Sequence, residues 1–211
     1  MTTKAHKKQV VYEGVPLASA NKAMILLHGR GASAESILSL KEYLKLDGFA
    51  LLAPEATNHT WYPFSFMAPS EQNEPWLSSA IELIETLVAE CTAAGIAESS
   101  IHLLGFSQGA CLTLEFAART ATRYGSVTAF TGGLIGEKIN RSNYSGNFNG
   151  TPVFIGCSDR DMHVPVERVY ASTNVLTEMG AKVIEKIYPG MGHTINEDEI
   201  NIVNKLLNET T

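Results

Sequence analysis

Basic clusters, long apolar runs and cysteines are all scarce in this 211-residue sequence. Lysine and arginine number 16 against 22 acidic residues, so the formal net charge is −6, and no basic block of the kind that binds nucleic acid is present. The single basic cluster, Lys4, Lys7 and Lys8, is expected to form a solvated N-terminal tail. No apolar run is long enough for a membrane span, and the first residues lack the apolar core of a signal peptide.

Cysteine is present only at Cys91, Cys111 and Cys157, an odd number that favours free, buried thiols over a disulfide framework. Free thiols are typical of a reducing compartment, and the sequence therefore predicts a cytoplasmic protein. No cysteine and histidine spacing is typical of a zinc site. We therefore expect neither a metal nor a cofactor.

The sequence does contain a regular alternation of short apolar runs with helical patterns. Strands are predicted over residues 9–13, 23–27, 49–53, 101–104, 126–130, 153–155 and 182–188. Helices are predicted over residues 33–44, 74–94, 110–120, 165–179 and 196–207. Continuous apolar runs are typical of strands covered on both faces. The pattern predicts an α/β fold with a doubly wound, mostly parallel sheet of about seven strands, in a single domain of residues 1–211.

One predicted strand leads directly into a helix through the sequence IHLLGFSQGA, residues 101–110. G-x-S-x-G between strand and helix is typical of a nucleophile elbow, a sharp turn that holds Ser107 in a strained conformation. Gly105 and Gly109 fit this turn because a side chain at either position would crowd the neighbouring backbone. The alternative is a glycine-rich start of a helix with a capping serine.

A serine nucleophile needs a base to accept its proton and a carboxylate to orient that base. Among the six histidines, His193 is predicted as the base because it follows the last strand in a flexible Gly-Met-Gly-His turn. The others have simpler interpretations. His6 is assigned to the tail, His102 to a surface or edge position of its strand, and His28 to the scaffold of a turn.

Aspartate is rare, with Asp47, Asp159, Asp161 and Asp198 the only examples. The first precedes the elbow and the last follows His193, which leaves Asp159 and Asp161 as candidate acids. Either gives the order Ser…Asp…His of α/β-hydrolases, and spacing alone does not separate them. The one that does not orient the base is expected to be a turn or capping residue.

Acyl transfer also requires donors for a negatively charged oxygen. One is the backbone N–H of Gln108, directly after the predicted nucleophile. The other is expected from the turn His28-Gly29-Arg30-Gly31, most simply from the backbone N–H of Arg30. The alternative for this turn is a plain connection between strand and helix.

Four motifs, HGRGA, GFSQGA, DRDMHVP and PGMGH, follow one another in this order. Together they make the whole chain resemble the small serine-hydrolase family of carboxylesterases, lysophospholipases and acyl-protein thioesterases. The resemblance implies that Asp161 is the acid, since the family's D-x-x-V-P element falls on residues 161–165. It also implies an α/β-hydrolase fold without a large cap domain, oxyanion donors at Arg30 and Gln108, and often a homodimer.

The segment between residues 55 and 73 shows neither helical nor strand periodicity but is rich in aromatic residues, which argues against disorder. We predict that this segment and the D-x-x-V-P element supply the acyl pocket, rather than only packing. The predicted lining residues are Trp61, Tyr62, Phe64, Phe66, Met67, Met162, His163 and Val164.

Two departures from the thioesterase members favour short-to-medium acyl esters over long-chain acyl-proteins. Arg30 replaces an apolar residue, and the aromatic segment does not match their substrate loop. The Arg30 side chain is expected either to meet a polar or anionic substrate group or to face solvent. The sequence thus predicts a carboxylesterase acting on a small-molecule ester, with a thioesterase or lysophospholipase as the alternative. A non-catalytic receptor on the same fold is the rival from another class.

Overall fold

A seven-stranded sheet runs through the computed structural model, which describes residues 5–209. The strands are β1 (Val10–Gly14), β2 (Lys22–Leu27), β3 (Phe49–Pro54), β4 (Ile101–Phe106), β5 (Ser126–Phe130), β6 (Pro152–Ser158) and β7 (Lys182–Tyr188). Their spatial order is β1-β3-β2-β4-β5-β6-β7, and only the pairing of β1 with β3 is antiparallel. The prediction of a mostly parallel sheet of about seven strands is confirmed.

Helices cover both faces of this sheet. They are α1 (Ala34–Leu38), α2 (Trp76–Ala93), α3 (Gln108–Arg119), α4 (Val166–Glu178) and α5 (Glu197–Glu209). Side chains alternate between the two faces of a strand, so Ile25 packs in the core layer with α2, α3 and α4, whereas Met24 packs in the layer with α1 and α5. None of the helices within residues 5–209 is both long and apolar enough to cross a bilayer.

The helix predicted over residues 33–44 is shorter than expected, because α1 ends at Leu38 and gives way to a 3-10 turn at Ser39–Glu42. The Ser36 hydroxyl donates to the Ser33 carbonyl oxygen at 2.6 Å, and the Ser39 hydroxyl donates to the Ser36 carbonyl oxygen at 2.7 Å. Serine hydroxyl groups of this kind compete for backbone acceptors and weaken an α-helix. The long amphipathic pattern did not reveal this break.

Two long irregular segments, residues 55–75 and 131–151, fold against the sheet instead of forming a separate cap domain. Trp61, Phe66, Leu134 and Phe148 from these segments all join the larger core layer. The aromatic residues that distinguish the first segment in the sequence therefore contribute to the hydrophobic core as well as to any binding site.

The interpretations of two histidines were wrong. His6 is buried against the rings of Trp61 and Trp76, and its backbone N–H donates to the Ser79 hydroxyl oxygen at 2.9 Å. Lys7 and Lys8 are exposed, but Lys8 pairs with Glu90 on α2 instead of belonging to a free tail, and Lys4 lies outside the described residues. His102 is fully buried, since β4 lies in the middle of the sheet, and burial lowers the pKa of His102 to about 3.

Candidate active site

Ser107 occupies a sharp turn between the end of β4 and the start of α3. Its backbone has φ 55° and ψ −118°, a region that non-glycine residues rarely adopt and that costs about 1–3 kcal/mol. A Cβ atom on Gly105 would lie 2.3 Å from the carbonyl oxygen of Gly109, and one on Gly109 would lie 2.1 Å from that of Leu27. The two glycines therefore allow the close packing that holds this strained turn.

A continuous chain of hydrogen bonds links Ser107 to a buried carboxylate. His193 Nε2 lies 2.8 Å from Ser107 Oγ, and His193 Nδ1 lies 2.7 Å from Asp161 Oδ2. The other oxygen, Asp161 Oδ1, accepts the backbone N–H groups of His163 at 2.8 Å and Val164 at 2.9 Å. A proton on His193 Nδ1 leaves the Nε2 lone pair facing the serine hydroxyl, which is the arrangement that a general base requires.

Asp159 makes a different set of contacts. Its Oδ1 accepts the backbone N–H of Gly190 at 2.8 Å, and the neighbouring Ser158 hydroxyl oxygen accepts the N–H of Gly192 at 3.1 Å. These two bonds tie the loop after β6 to the loop that carries His193. Asp159 thus fixes a turn, while Asp161 contacts the imidazole itself.

Two aromatic rings flank the imidazole of His193. The ring of Phe106 lies 5.3 Å from it, and the ring of His163 lies 4.8 Å from it in an edge-on arrangement. These contacts limit the tilt of the imidazole, so its two nitrogens stay aligned with Ser107 and Asp161.

The turn at residues 28–31 lies directly beside the elbow. A Cβ atom on Gly29 would be 3.5 Å from Ser107 Cβ. His28 Nδ1 donates to the Gly29 carbonyl oxygen at 2.7 Å, and His28 Nε2 accepts the N–H of Ala56 at 3.1 Å. Burial lowers the pKa of His28, so the neutral ring that these bonds require is favoured. His28 is part of the scaffold of this turn.

Several backbone N–H groups of the two turns beside Ser107 have no acceptor within the described part of the chain. Two of them belong to Gln108, the first residue of α3, and to Arg30. Donors at the start of a helix favour negative charge, so the N–H of Gln108 is suited to a developing oxyanion.

A cavity of about 500 Å³ opens onto Ser107 and His193. Five predicted pocket residues line it, namely Tyr62, Phe64, Phe66, His163 and Val164. Phe64 stands at its exposed edge, whereas Tyr62 and Phe66 are buried. The aromatic segment thus lines one part of the cavity with consecutive residues, from Tyr62 to Phe66, which form a wall.

Three other predicted pocket residues lie away from the cavity. Trp61 is fully buried behind the wall, where its Nε1–H donates to the His28 carbonyl oxygen at 2.8 Å. Met67 packs against the core, and Met162 is 84% exposed. Composition indicated which segment forms the wall but not the direction in which each side chain points, because the segment has no regular period.

Sequence reasoning missed several residues that line the cavity, among them Phe106 and Cys111. Cys111 follows Ser107 by four residues, one helical turn, so helical spacing could have placed it on the same side of α3. Burial raises the pKa of Cys111 to about 12, which keeps the thiol protonated and unsuited as a nucleophile.

Comparisons with known proteins show the family of the chain. A family model described as phospholipase/carboxylesterase matches residues 9–211. The chain belongs to this family. Membership confirms the predicted resemblance, the α/β-hydrolase fold and an enzyme that is a hydrolase with esterase activity.

The crystal structure of a phospholipase/carboxylesterase from Dyadobacter fermentans is 51% identical to this chain, with a TM-score of 0.95, and the match covers 98% of this chain and 99% of that one. A probable carboxylesterase from Oryza sativa is 26% identical over 88% of this chain and 77% of its own length. An acyl-protein thioesterase 1 from Yarrowia lipolytica is 24% identical over 92% of this chain and 95% of its own length. The relatives of this chain thus carry the names of both carboxylesterases and acyl-protein thioesterases.

Proposed function

We propose that the protein is a serine carboxylesterase whose nucleophile is Ser107, with His193 as general base and Asp161 as the carboxylate that orients it. The observation that carries this proposal is the chain of hydrogen bonds from Asp161 through His193 to Ser107 at the mouth of the cavity. The strained backbone of Ser107 supports it, because strain of this kind is concentrated at functional sites.

In the proposed first half-reaction, Ser107 Oγ bonds to the ester carbonyl carbon while its proton moves to His193 Nε2. The carbonyl oxygen becomes an oxyanion, held by the backbone N–H groups of Arg30 and Gln108. Collapse of this intermediate breaks the bond to the alcohol oxygen, which takes the proton from His193. The acyl group stays on Ser107.

In the second half-reaction, His193 Nε2 accepts a proton from water as the water oxygen attacks the acyl carbon. The second oxyanion collapses, the acid leaves, and Ser107 regains its proton from His193. Asp161 keeps the imidazole in one orientation throughout and stabilises its charged form.

We propose small-molecule esters with short-to-medium acyl chains as substrates. Tyr62, Phe64 and Phe66 give the cavity an aromatic wall, and its volume of about 500 Å³ is within the range of small-molecule sites. Thioester hydrolysis is the second candidate, since several relatives are named acyl-protein thioesterases. A series of oxygen esters and thioesters of increasing acyl length separates the two by their kcat/KM values.

The test of the proposed nucleophile is Ser107→Ala. We expect kcat for p-nitrophenyl butanoate to fall by about 10⁶-fold, as found when a serine-hydrolase nucleophile is removed. The folded state should be retained, which thermal unfolding would check. Steady turnover by the native enzyme also distinguishes it from a receptor on the same fold. Retained turnover in the variant would refute the assignment.

Several further expectations remain part of the proposal. Three free, buried cysteines support a location in the reducing cytoplasm. A homodimer, a single domain over residues 1–211 and activity without a metal or cofactor are likewise predictions. Size-exclusion chromatography with light scattering would test the first of these three.

A further inference from the structure

One guanidinium group holds three consecutive peptide units of the cavity wall. Arg30 Nη1 donates to the carbonyl oxygen of Pro63 at 3.0 Å. Arg30 Nη2 donates to the carbonyl oxygens of Tyr62 at 2.9 Å and Phe64 at 2.7 Å. We call residues 60–66 the wall loop. The planar fork of a guanidinium, with donors on separate nitrogens, suits this convergence of carbonyl groups.

Gln108 contacts the same loop from the start of α3. Its side-chain Nε2 donates to the Tyr62 carbonyl oxygen at 2.8 Å, and its Oε1 accepts the backbone N–H of Trp61 at 3.0 Å. The Tyr62 carbonyl oxygen therefore accepts bonds from both Arg30 and Gln108. These are the two residues whose backbone N–H groups we propose as oxyanion donors, so their side chains join the oxyanion site to the cavity wall.

The second half of the wall loop makes further hydrogen bonds with residues other than Arg30 and Gln108. Buried Asn73 accepts the N–H of Phe64 at 2.9 Å and donates to the Ser65 carbonyl oxygen at 3.0 Å. The backbone N–H of Gly136 donates to the Phe66 carbonyl oxygen at 2.7 Å. Without a regular helix or strand, the loop depends on such contacts to satisfy its backbone groups.

The contacts of Arg30 are hydrogen bonds to neutral groups and not ion pairs. None of the ion pairs formed within residues 5–209 includes Arg30, and its three partners are neutral carbonyl oxygens. A lysine at this position keeps the charge but presents its donors from a single nitrogen. Charge and geometry can therefore be separated by substitution.

We propose that the Arg30 side chain is a positioning residue that determines acyl-chain specificity. It fixes the wall loop against the oxyanion turn, and thereby sets where Tyr62, Phe64 and Phe66 meet the acyl chain. This inference rests on the proposed esterase function and on the cavity as its acyl site.

The first test measures the loop itself. Amide hydrogen exchange is compared for the native enzyme, Arg30→Lys and Arg30→Met, with Arg141→Lys as the control. Arg141 is an exposed arginine that pairs with Glu178 on α4. Peptides covering the wall loop are expected to exchange about tenfold faster in both Arg30 variants, which corresponds to about 1.4 kcal/mol. The control should match the native enzyme.

The second test measures specificity with p-nitrophenyl esters from acetate to decanoate. We expect the ratio of kcat/KM between the best and the worst ester to fall about tenfold in both Arg30 variants and to stay constant in Arg141→Lys. Asn73→Ala, which loosens the loop without contacting Arg30 or Gln108, should flatten the same profile. Thermal unfolding confirms that each variant is folded.

The results distinguish the alternatives. If Arg30→Lys matched the native enzyme while Arg30→Met did not, the charge of Arg30 would act on the substrate and the proposal would be overturned. Unchanged exchange and an unchanged profile in both variants would overturn it as well. Lack of turnover by the native enzyme would refute the esterase function and with it the specificity role, whereas faster exchange in both Arg30 variants would still show that Arg30 holds the wall loop.

Discussion

At the scale of single residues, two neighbouring aspartates make different contacts in the site. The carboxylate of Asp161 is buried, and both of its oxygens accept hydrogen bonds, one from the imidazole of His193 and the other from backbone N–H groups. Asp159 holds the backbone of the His193 loop at Gly190. One aspartate therefore orients a ring, and the other anchors the segment that carries it.

The two roles predict unequal losses on removing each charge. Asp161→Asn should reduce kcat by about 10⁴-fold, because the amide no longer selects the productive tautomer of His193. Asp159→Asn should cost less than about tenfold, since a single hydrogen bond contributes about 1 kcal/mol. Steady-state kinetics with one ester measures both, and the reverse ranking would move the orienting role to Asp159.

Single residues were predictable from sequence where backbone geometry demands a residue type. Ser107 stood out because two glycines at fixed spacing are needed for its turn. The choice between Asp159 and Asp161 came only from a family resemblance, since both follow the same strand. Trp61 and Tyr62 were indistinguishable because their segment has no regular period, and of the two only Tyr62 lines the cavity in the structure.

At the scale of elements, the start of α5 combines a helix cap with a buried carboxyl group. Asn196 and Glu199 bond reciprocally, with the Glu199 Oε2 accepting the N–H of Asn196 at 2.8 Å and Asn196 Oδ1 accepting the N–H of Glu199 at 2.9 Å. The Asn196 side chain also donates to the sulfur of Met191, in the loop of His193. Burial raises the pKa of Glu199 to about 7.

This carboxyl group predicts a specific dependence of stability on pH. Because the pKa is about 7 in the folded state against 4.5 ordinarily, the folded protein binds an extra proton between these values. The contribution of Glu199 to the free energy of unfolding is complete below pH 4.5 and is lost as the pH rises through about 7. We expect the free energy of unfolding of the native protein to fall by about 2 kcal/mol between pH 5 and pH 8 because of Glu199, and we expect Glu199→Gln to abolish this decrease.

The measurement is urea unfolding of both proteins at several pH values, with Glu197→Gln as the control. Glu197 is in the same turn of α5 but is exposed. The buried histidines contribute equally to all three proteins, so the difference between them isolates Glu199. If the free energy of unfolding of Glu199→Gln fell with pH as steeply as that of the native protein, the prediction would be contradicted.

At the scale of the whole molecule, the predicted order of strands and helices was confirmed because both periodicities are strong and the apolar runs are continuous. The burial of His6 was not predictable. A sequence with three lysines among its first eight residues favours a solvated tail, whereas His6 packs beneath the wall loop through contacts made with residues far along the chain, at Trp61 and Ser79.

The proposed chemistry uses only groups of the polypeptide, from nucleophile to oxyanion donors. We therefore expect dialysis against EDTA to leave kcat and KM for p-nitrophenyl butanoate unchanged. Adding Zn²⁺ or Mg²⁺ back afterwards should not raise the rate. A loss on chelation that a metal ion restores would show that the mechanism is incomplete.

The contacts that the side chains of Arg30 and Gln108 both make with the wall loop have a practical consequence for enzyme engineering. In the proposed mechanism their backbones stabilise the reaction while their side chains shape the pocket, so libraries at positions 30 and 108 would change selectivity and rate together. Phe64 offers a more independent choice, because its ring is exposed at the edge of the cavity and its carbonyl group makes the contact with Arg30 whatever the side chain. Altered chain preference should be sought first at position 64.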